Sequence, residues 1–592
     1  MTNLPGIFWQ RYLAKLIIIA IALLTAISLT GCNPNNFRAD ANRPPQLVEA
    51  ILSDPKTFNP VLASDATSSS VGGMIFDGLV TTNPITGEVE PALAESWEIS
   101  EDKLKILFTL KKNLKWSDGH PLTADDVDFS YNQLYLNEKI PSGARDIIRV
   151  GESKALPQVR QLNNLQIEFT IPEPFAPFLS TTGGLSILPA HILREKVENN
   201  DPNGKPLFLS TWTVDTPPEK LIANSAYRLK SYATNQRLIF EENPYYWKKQ
   251  VIDKNIPYIK EVVWEIVEST DTFLLQFRSG SLDSVSVAPE YFSLLKKEEK
   301  RGDFSIYNGG PGYGTTFITF NLNQGTKNGK PLIAPRKSQW FNNLKFRQAV
   351  SYAIDRQRIV NNIYRGLGEP QKSFISVQSP YYYQGLEGHP YNRDKAKQLL
   401  LEGGFKYNNK GQLLDDSGNR VSFTLNTNSG NKIRESMGDQ IEEDLEAIGI
   451  DVNFRTINFN VLVGKLGESL DWDCIILGFT GGNEPNNGAN LWSPDGDSHM
   501  FNQKKEGVEG RQIADWEAKI GELFIKGARE LDESKRKEIY AEIQQLVEEQ
   551  VPMIYLVNPF SLSAVRNKIK GIEYSALGGA FWNLEALKIT NE

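Results

Sequence analysis

The residues best spaced for chemistry lie late in the chain, in Gly478-Phe479-Thr480-Gly481-Gly482-Asn483-Glu484-Pro485, continuing to Trp492. A buried strand that ends in glycines lets backbone amides approach a bound molecule closely, and an aromatic ring beside it can stack on that molecule. This is the chemistry of recognition rather than of bond breaking. The same Gly- and Asn-rich composition also fits a plain surface loop over 480–496.

Other chemistries lack their partners. His120, His191, His389 and His499 are isolated, with none at metal-ligand spacing from another. Cys474 opens the apolar run Cys474-Ile475-Ile476-Leu477 and reads as a core thiol rather than a nucleophile. Asp125 and Asp126 sit together at a helix start, where first-turn charge explains them better than acid–base work. Gly204-Lys205 and Gly329-Lys330 are each followed by proline and lack the rest of a phosphate loop. No catalytic triad, metal cluster or placed carboxylate pair is evident, so neither an enzyme nor a cofactor is expected.

The elements that would carry these residues change character along the chain. Early on, Leu104, Ile106, Phe108 and Leu110, and later Leu165, Ile167, Phe169 and Ile171, alternate as strands. Thr123 caps a helix between them, Gln46 to Leu52 reads as a short strand, and Met74 to Val80 is an apolar stretch ending in turn signals. In the second half, Phe346, Val350, Ala353, Ile354, Val360 and Ile363 predict one long amphipathic helix. Val421 to Leu425, the helix period from Ile433 to Ile448 closed by Gly449, and Ile450 to Phe454 then make a βαβ unit. Asp473 to Phe479 is a further apolar strand, two helices follow around Ile520 and Ile543, and Met553 to Val557 is again strand-like.

The N-terminus sets the location. Arg11 and Lys15 precede an apolar run from Leu16 to Leu29, which stops at Leu29-Thr30-Gly31-Cys32. That run is shorter than the roughly 20 residues of a spanning helix. With small residues before a cysteine it reads as a lipoprotein signal over 1–31. Cys32 then becomes the lipid-bearing first residue, and 32–45 a flexible tether holding a soluble body at the outer, periplasmic side of the membrane. At 592 residues the chain exceeds what one core usually holds, so two or three domains are expected. Only Cys474 remains beside Cys32, which leaves no intrachain disulfide. The formal net charge of −8 becomes more negative once the leader goes, and this argues against nucleic acid as a partner.

Several motifs in order carry a family likeness. Pro91-Ala92-Leu93-Ala94-Glu95-Ser96-Trp97-Glu98 and Leu114-Lys115-Trp116-Ser117-Asp118-Gly119-His120-Pro121-Leu122-Thr123-Ala124-Asp125-Asp126-Val127 are followed by Ile187-Leu188-Pro189-Ala190-His191-Ile192-Leu193. Asn243-Pro244-Tyr245-Tyr246-Trp247 and Phe346-Arg347-Gln348-Ala349-Val350-Ser351-Tyr352-Ala353-Ile354-Asp355-Arg356 complete the set. The chain thus resembles the extracellular solute-binding proteins of the peptide and nickel ABC importer family. The resemblance implies an α/β fold of the type II periplasmic-binding-protein kind, with two lobes joined by a two-crossing hinge and an inserted extra α+β domain. Lobe I would be assembled from 46–80, 205–305 and 560–592, the extra domain from 81–204, and lobe II with hinge segments from 306–559. The crossings would lie near Tyr313 to Phe320 and Tyr555 to Phe560.

It also implies a monomeric receptor that takes a solute between its lobes and passes it to permease subunits served by separate ATPases. In peptide-binding members an aromatic residue in this loop is followed closely by an aspartate that pairs with the peptide's α-amino group. Phe479 matches the aromatic, but Gly482 stands where the aspartate is expected. Phe479, Thr480, Gly482, Asn483, Glu484 and Trp492 are therefore the candidate ligand residues, with Glu484 as a substitute counter-charge. Tyr313 and Phe76 are further lining candidates near the lobe junctions, equally at home in a core. A differently bound or blocked peptide and a polar solute such as a sugar remain open, as does an envelope sensor or scaffold of the same fold without transport.

Overall fold

The computed structural model describes residues 45–590 except 152 and 268, so the expected leader, Cys32 and nearly all of the tether lie outside the described residues. Strand Gln46–Ile51 runs parallel to Glu261–Ile266, and antiparallel strands Arg237–Glu242 and Tyr227–Ala233 extend that sheet. Its first strand is buried on both faces: Leu47 belongs to a large core and Val48 to a smaller one with Leu274, Phe277 and Leu562. A strand covered on both sides must be apolar at successive positions, which Leu47-Val48 provides.

Residues 94–170 supply an antiparallel sheet in the order Ala94–Ile99, Lys105–Leu110, Gln166–Thr170, Gln158–Asn163. The alternating Ile106, Phe108, Leu110, Ile167 and Phe169 are all buried. They share one continuous apolar core with Leu47, Phe240 and Val262, so this segment is fused to the lobe I sheet. Thr123 caps helix Ala124–Asp128 in a reciprocal box with Asp126.

Lobe II has its own core around a five-stranded sheet, in the order Asp451–Ile457, Ser422–Asn428, Cys474–Phe479, Thr315–Phe320, Met553–Tyr555. The first three strands are parallel, and helix Lys432–Glu446 connects Ser422–Asn428 to Asp451–Ile457. Gly449, at φ +86°, turns the chain out of that helix.

One expectation needs correction. The long helix over 346–363 is two, Leu344–Ala353 and Arg356–Asn362, because the Asp355 carboxylate accepts from the Arg358 amide and starts a new helix. The stretch from Met74 to Val80 begins inside helix Ala66–Ile75, which Asp65 caps, and only Val80 enters a strand. The boundaries at 306 and 560 fall inside strands Phe304–Pro311 and Val557–Arg566. The latter strand pairs first with Gly368–Pro370 of lobe II and then with Ser284–Ser286 and Phe304–Pro311 of lobe I, so it serves both lobes.

One half-buried carboxyl, Glu49, gives a pH-dependent prediction. Burial pushes Glu49 up to about 7, against a hydrogen bond from Ser284 Oγ at 2.9 Å. A carboxyl that holds its proton more tightly when folded stabilises the fold fully below its unfolded value, and that contribution is lost as pH rises through 4.5 to about 7. Glu49→Gln is therefore expected to gain about 2–3 kcal/mol on the native protein between pH 4 and pH 8. Paired thermal melts across that range check it; a constant difference would contradict it.

Candidate ligand cleft

Three parallel strands end at the same place. Asn428 ends strand Ser422–Asn428, and Asn458 and Thr480 follow Asp451–Ile457 and Cys474–Phe479, at the carboxyl ends where open α/β sheets bind ligands. All three line a cavity of about 1970 Å³ between the lobes. Its opposite wall includes Ser64, Asp65 and Thr67 at the start of helix Ala66–Ile75, and its floor includes Gly312, Gly314, Thr315 and Tyr555 at the crossings. Pockets for drug-sized molecules run to roughly 1,000 Å³. This one has room for an oligomeric solute.

The loop glycines divide into two kinds. A Cβ on Gly481 would overlap the Tyr313 carbonyl oxygen, and one on Gly314 would come within 2.9 Å of the Phe479 carbonyl oxygen, so the loop and residues 313–314 meet backbone to backbone. Gly482 differs: nothing lies within 4 Å of where its Cβ would be, and its φ is not in the left-handed region. The wall therefore lacks a side chain at 482 without any steric need for glycine.

Of the candidate residues, Phe479, Thr480, Gly482, Glu484 and Trp492 line the cavity. Phe479 packs on Phe317 with centroids 5.2 Å apart. Trp492 is only 1 % exposed and wedged between Phe374 and Phe524, so it is core that reaches the wall, not a free stacking platform. Asn483 is not part of the wall and lies beside Gly87 of the inserted segment. Tyr313 is half-buried in the crossing, with its neighbours on the wall instead of its own ring, and burial raises its phenol. Phe76 is buried and stacks on Trp212 at 5.5 Å, which makes it core.

Glu484 has a different task from the one its position implied. Its carboxylate accepts from Arg536 at 2.5 and 2.9 Å and from the Asn486 amide at 2.8 Å, capping the turn Pro485–Gly488. The Arg536 guanidinium lies over Tyr381 and Tyr540, and Glu484 raises its already high pKa despite burial. A carboxylate held this way is not available to a ligand amine. Asp65 is likewise engaged, by the Ser68 amide and hydroxyl, and Asp54 by the Tyr232 hydroxyl and the Asn235 amide.

The residue that sequence reasoning missed is Arg434. It lines the cavity from the first turn of helix Lys432–Glu446, where its Nη1 donates to Asn428 Oδ1 at 2.8 Å. No carboxylate pairs with it among the described residues, and burial lowers its pKa while leaving it charged. A cation in the first turn opposes the helix dipole. That misplacement was the available signal, since a helix gains nothing from Arg there.

The histidines stay clear of the cleft. His120 and His191 stack with centroids 4.0 Å apart, and His191 pairs with Asp118 at 2.8 Å. His499 is buried against Glu517 and the Leu491 carbonyl, and burial holds His389 down to about 4. No group able to hold a metal ion is present among the described residues. Burial raises the Cys474 thiol far above its usual range. Among the described residues no helix is long and apolar enough to cross a membrane.

Comparison with known proteins fits this geometry. A protein named "Probable ABC transporter-binding protein" from Deinococcus radiodurans is 29% identical over 593 residues, covering 95% of this chain and 96% of that one. The oligopeptide-binding protein AppA of Bacillus subtilis, solved with a nonapeptide, superposes with a TM-score of 0.77 at 23% identity, covering 92% of this chain and 99% of that one. The periplasmic binding protein MelB of Agrobacterium fabrum, solved with stachyose, gives 0.79 at 20% identity, covering 92% and 84%. The model of the bacterial extracellular solute-binding proteins, family 5, matches residues 88–500. The chain therefore belongs to that family, a family of binding proteins rather than enzymes, and has its two-lobed α/β fold.

Proposed function

We propose that the chain is the lipid-anchored receptor of an ABC importer, which captures a peptide or peptide-like polar solute between its lobes and hands it to the permease. The observation that carries this reading is the inter-lobe cavity walled by strand ends and holding Arg434, a charged guanidinium with no acidic partner among the described residues. An unpaired cation in a cavity wall favours a ligand with an anionic group such as a carboxylate. Asp54, Asp65 and Glu484 are engaged, Gly482 supplies no carboxylate, and Glu468 and Asp497 lie at the exposed rim, so a free amine gains little from the inner wall, and amine-blocked peptides or acidic sugars suit it better. A nonapeptide in one solved relative and stachyose in another support a solute of the peptide or sugar class. Cys32, preceded by Leu29-Thr30-Gly31, supports the anchor.

Native mass spectrometry of the mature body with Cys32→Ser, before and after denaturation, tests this. A released small solute carrying at least one acidic group is expected. A solute with a free amine and no acid would overturn the anionic reading, and turnover of the solute would overturn the receptor reading.

A further inference from the structure

The cleft is closed at the side away from the hinge by a second set of contacts, between the inserted segment and lobe II. The Asn486 side-chain amide donates to the Ile147 carbonyl at 2.9 Å, and the Asp497 backbone amide donates to the Asp146 carboxylate at 3.0 Å. Lys154 pairs with Asp495 at 3.1 Å. A second patch lies at the end of helix Asp515–Arg529. There Ala528 is 3 % exposed within the core of the inserted segment, its carbonyl accepts from the Ala176 amide at 2.6 Å, and Arg529 pairs with Glu173. Gly151 leaves the room that Glu173 occupies, since a Cβ there would overlap that carboxylate.

Residues 486–497 continue directly from the loop of Phe479, Thr480 and Gly482, so the inserted segment grips the same loop that walls the cavity. Pro141, Gly143 and Ala144 of that segment also line the cavity. Swinging the lobes apart about the two crossings must therefore peel this loop from residues 146–154 and withdraw Ala528.

We propose that this seam is a latch in which Asp146, Lys154 and Glu173 act as positioning residues, holding the ligand loop in its closed place and biasing the lobes shut before solute arrives. A receptor whose closed state is already populated binds with less of its affinity lost to closure, and its solute leaves only as fast as the latch opens. Because the ionic members are partly exposed, salt weakens the latch. The idea rests on the inter-lobe cavity being the capture site, but its test requires no solute.

Spin labels at Lys139→Cys on the inserted segment and Glu506→Cys on lobe II, in the Cys32→Ser background with Cys474 buried, report the opening by pulsed dipolar spectroscopy. After unfolding, dialysis and refolding to strip any co-purified solute, the native protein is expected to show a dominant short distance. Asp146→Ala with Lys154→Gln, and separately Arg529→Gln, are expected to raise the long-distance population severalfold, as is 1 M NaCl, with melting temperatures confirming that each variant folds. Identical distributions in native protein and both variants, or a native protein already open, would overturn the latch. Either failure leaves the receptor reading standing, because that reading depends on a released solute and not on this distance.

Discussion

Gly482→Asp is expected to raise affinity for a free-amine tripeptide such as trialanine roughly ten- to hundredfold, and to leave N-acetyl-trialanine unimproved or weakened. The position lines the cavity, has open space where a side chain would go, and needs no left-handed backbone, so the aspartate enters without displacing its neighbours. A charge-assisted hydrogen bond to an ammonium group contributes about 1.5–3 kcal/mol, which sets the expected ratio. The engaged state of Glu484 makes the experiment clean, because the Arg536 pair already absorbs its charge. Calorimetric titration of both peptides into native and variant protein reads the ratio directly. Equal gains for blocked and free peptides, or none for either, would mean that the α-amine does not sit by residue 482.

Local patterning carried much of the fold but little of the cleft. The βαβ unit was legible because its strands alternate, its helix period is long and Gly449 stops it, all within one stretch of chain. The break at Asp355 was not, because apolar spacing runs on through Ile354 while a single carboxylate restarts the helix. Phe76 shows the limit from the other side: Trp212, far along the chain, decides that it faces the core. The engagement of Glu484 by Arg536 and the seam of Asn486 with Ile147 join residues 52 and 339 positions apart. Periodicity holds no information at that range, so the resemblance could place the loop but not say which of its charges were free.

Replacing Arg434 by glutamine separates a ligand residue from a structural one, because the two roles predict opposite patterns. An arginine that holds the fold through an ion pair leaves an uncompensated partner behind when removed, at a cost of about 3–5 kcal/mol for a buried pair. Among the described residues the Arg434 side chain has only the neutral Asn428 oxygen as a hydrogen-bond partner, so Arg434→Gln sheds a desolvated charge and leaves no charged partner behind. The solute-free variant is accordingly expected to melt within a few degrees of the native protein, since about 1 kcal/mol moves a large domain by roughly 2–4 °C. Affinity for the acidic solute released from the native protein should fall ten- to hundredfold. Esterifying that solute's carboxylates should weaken binding to the native protein by a similar factor and hardly change binding to the variant. A melting point lowered by ten degrees with unchanged affinity would make Arg434 a structural residue, and the cleft's preference for an anion would then have to come from Lys56 or Lys505, the other cations on its wall.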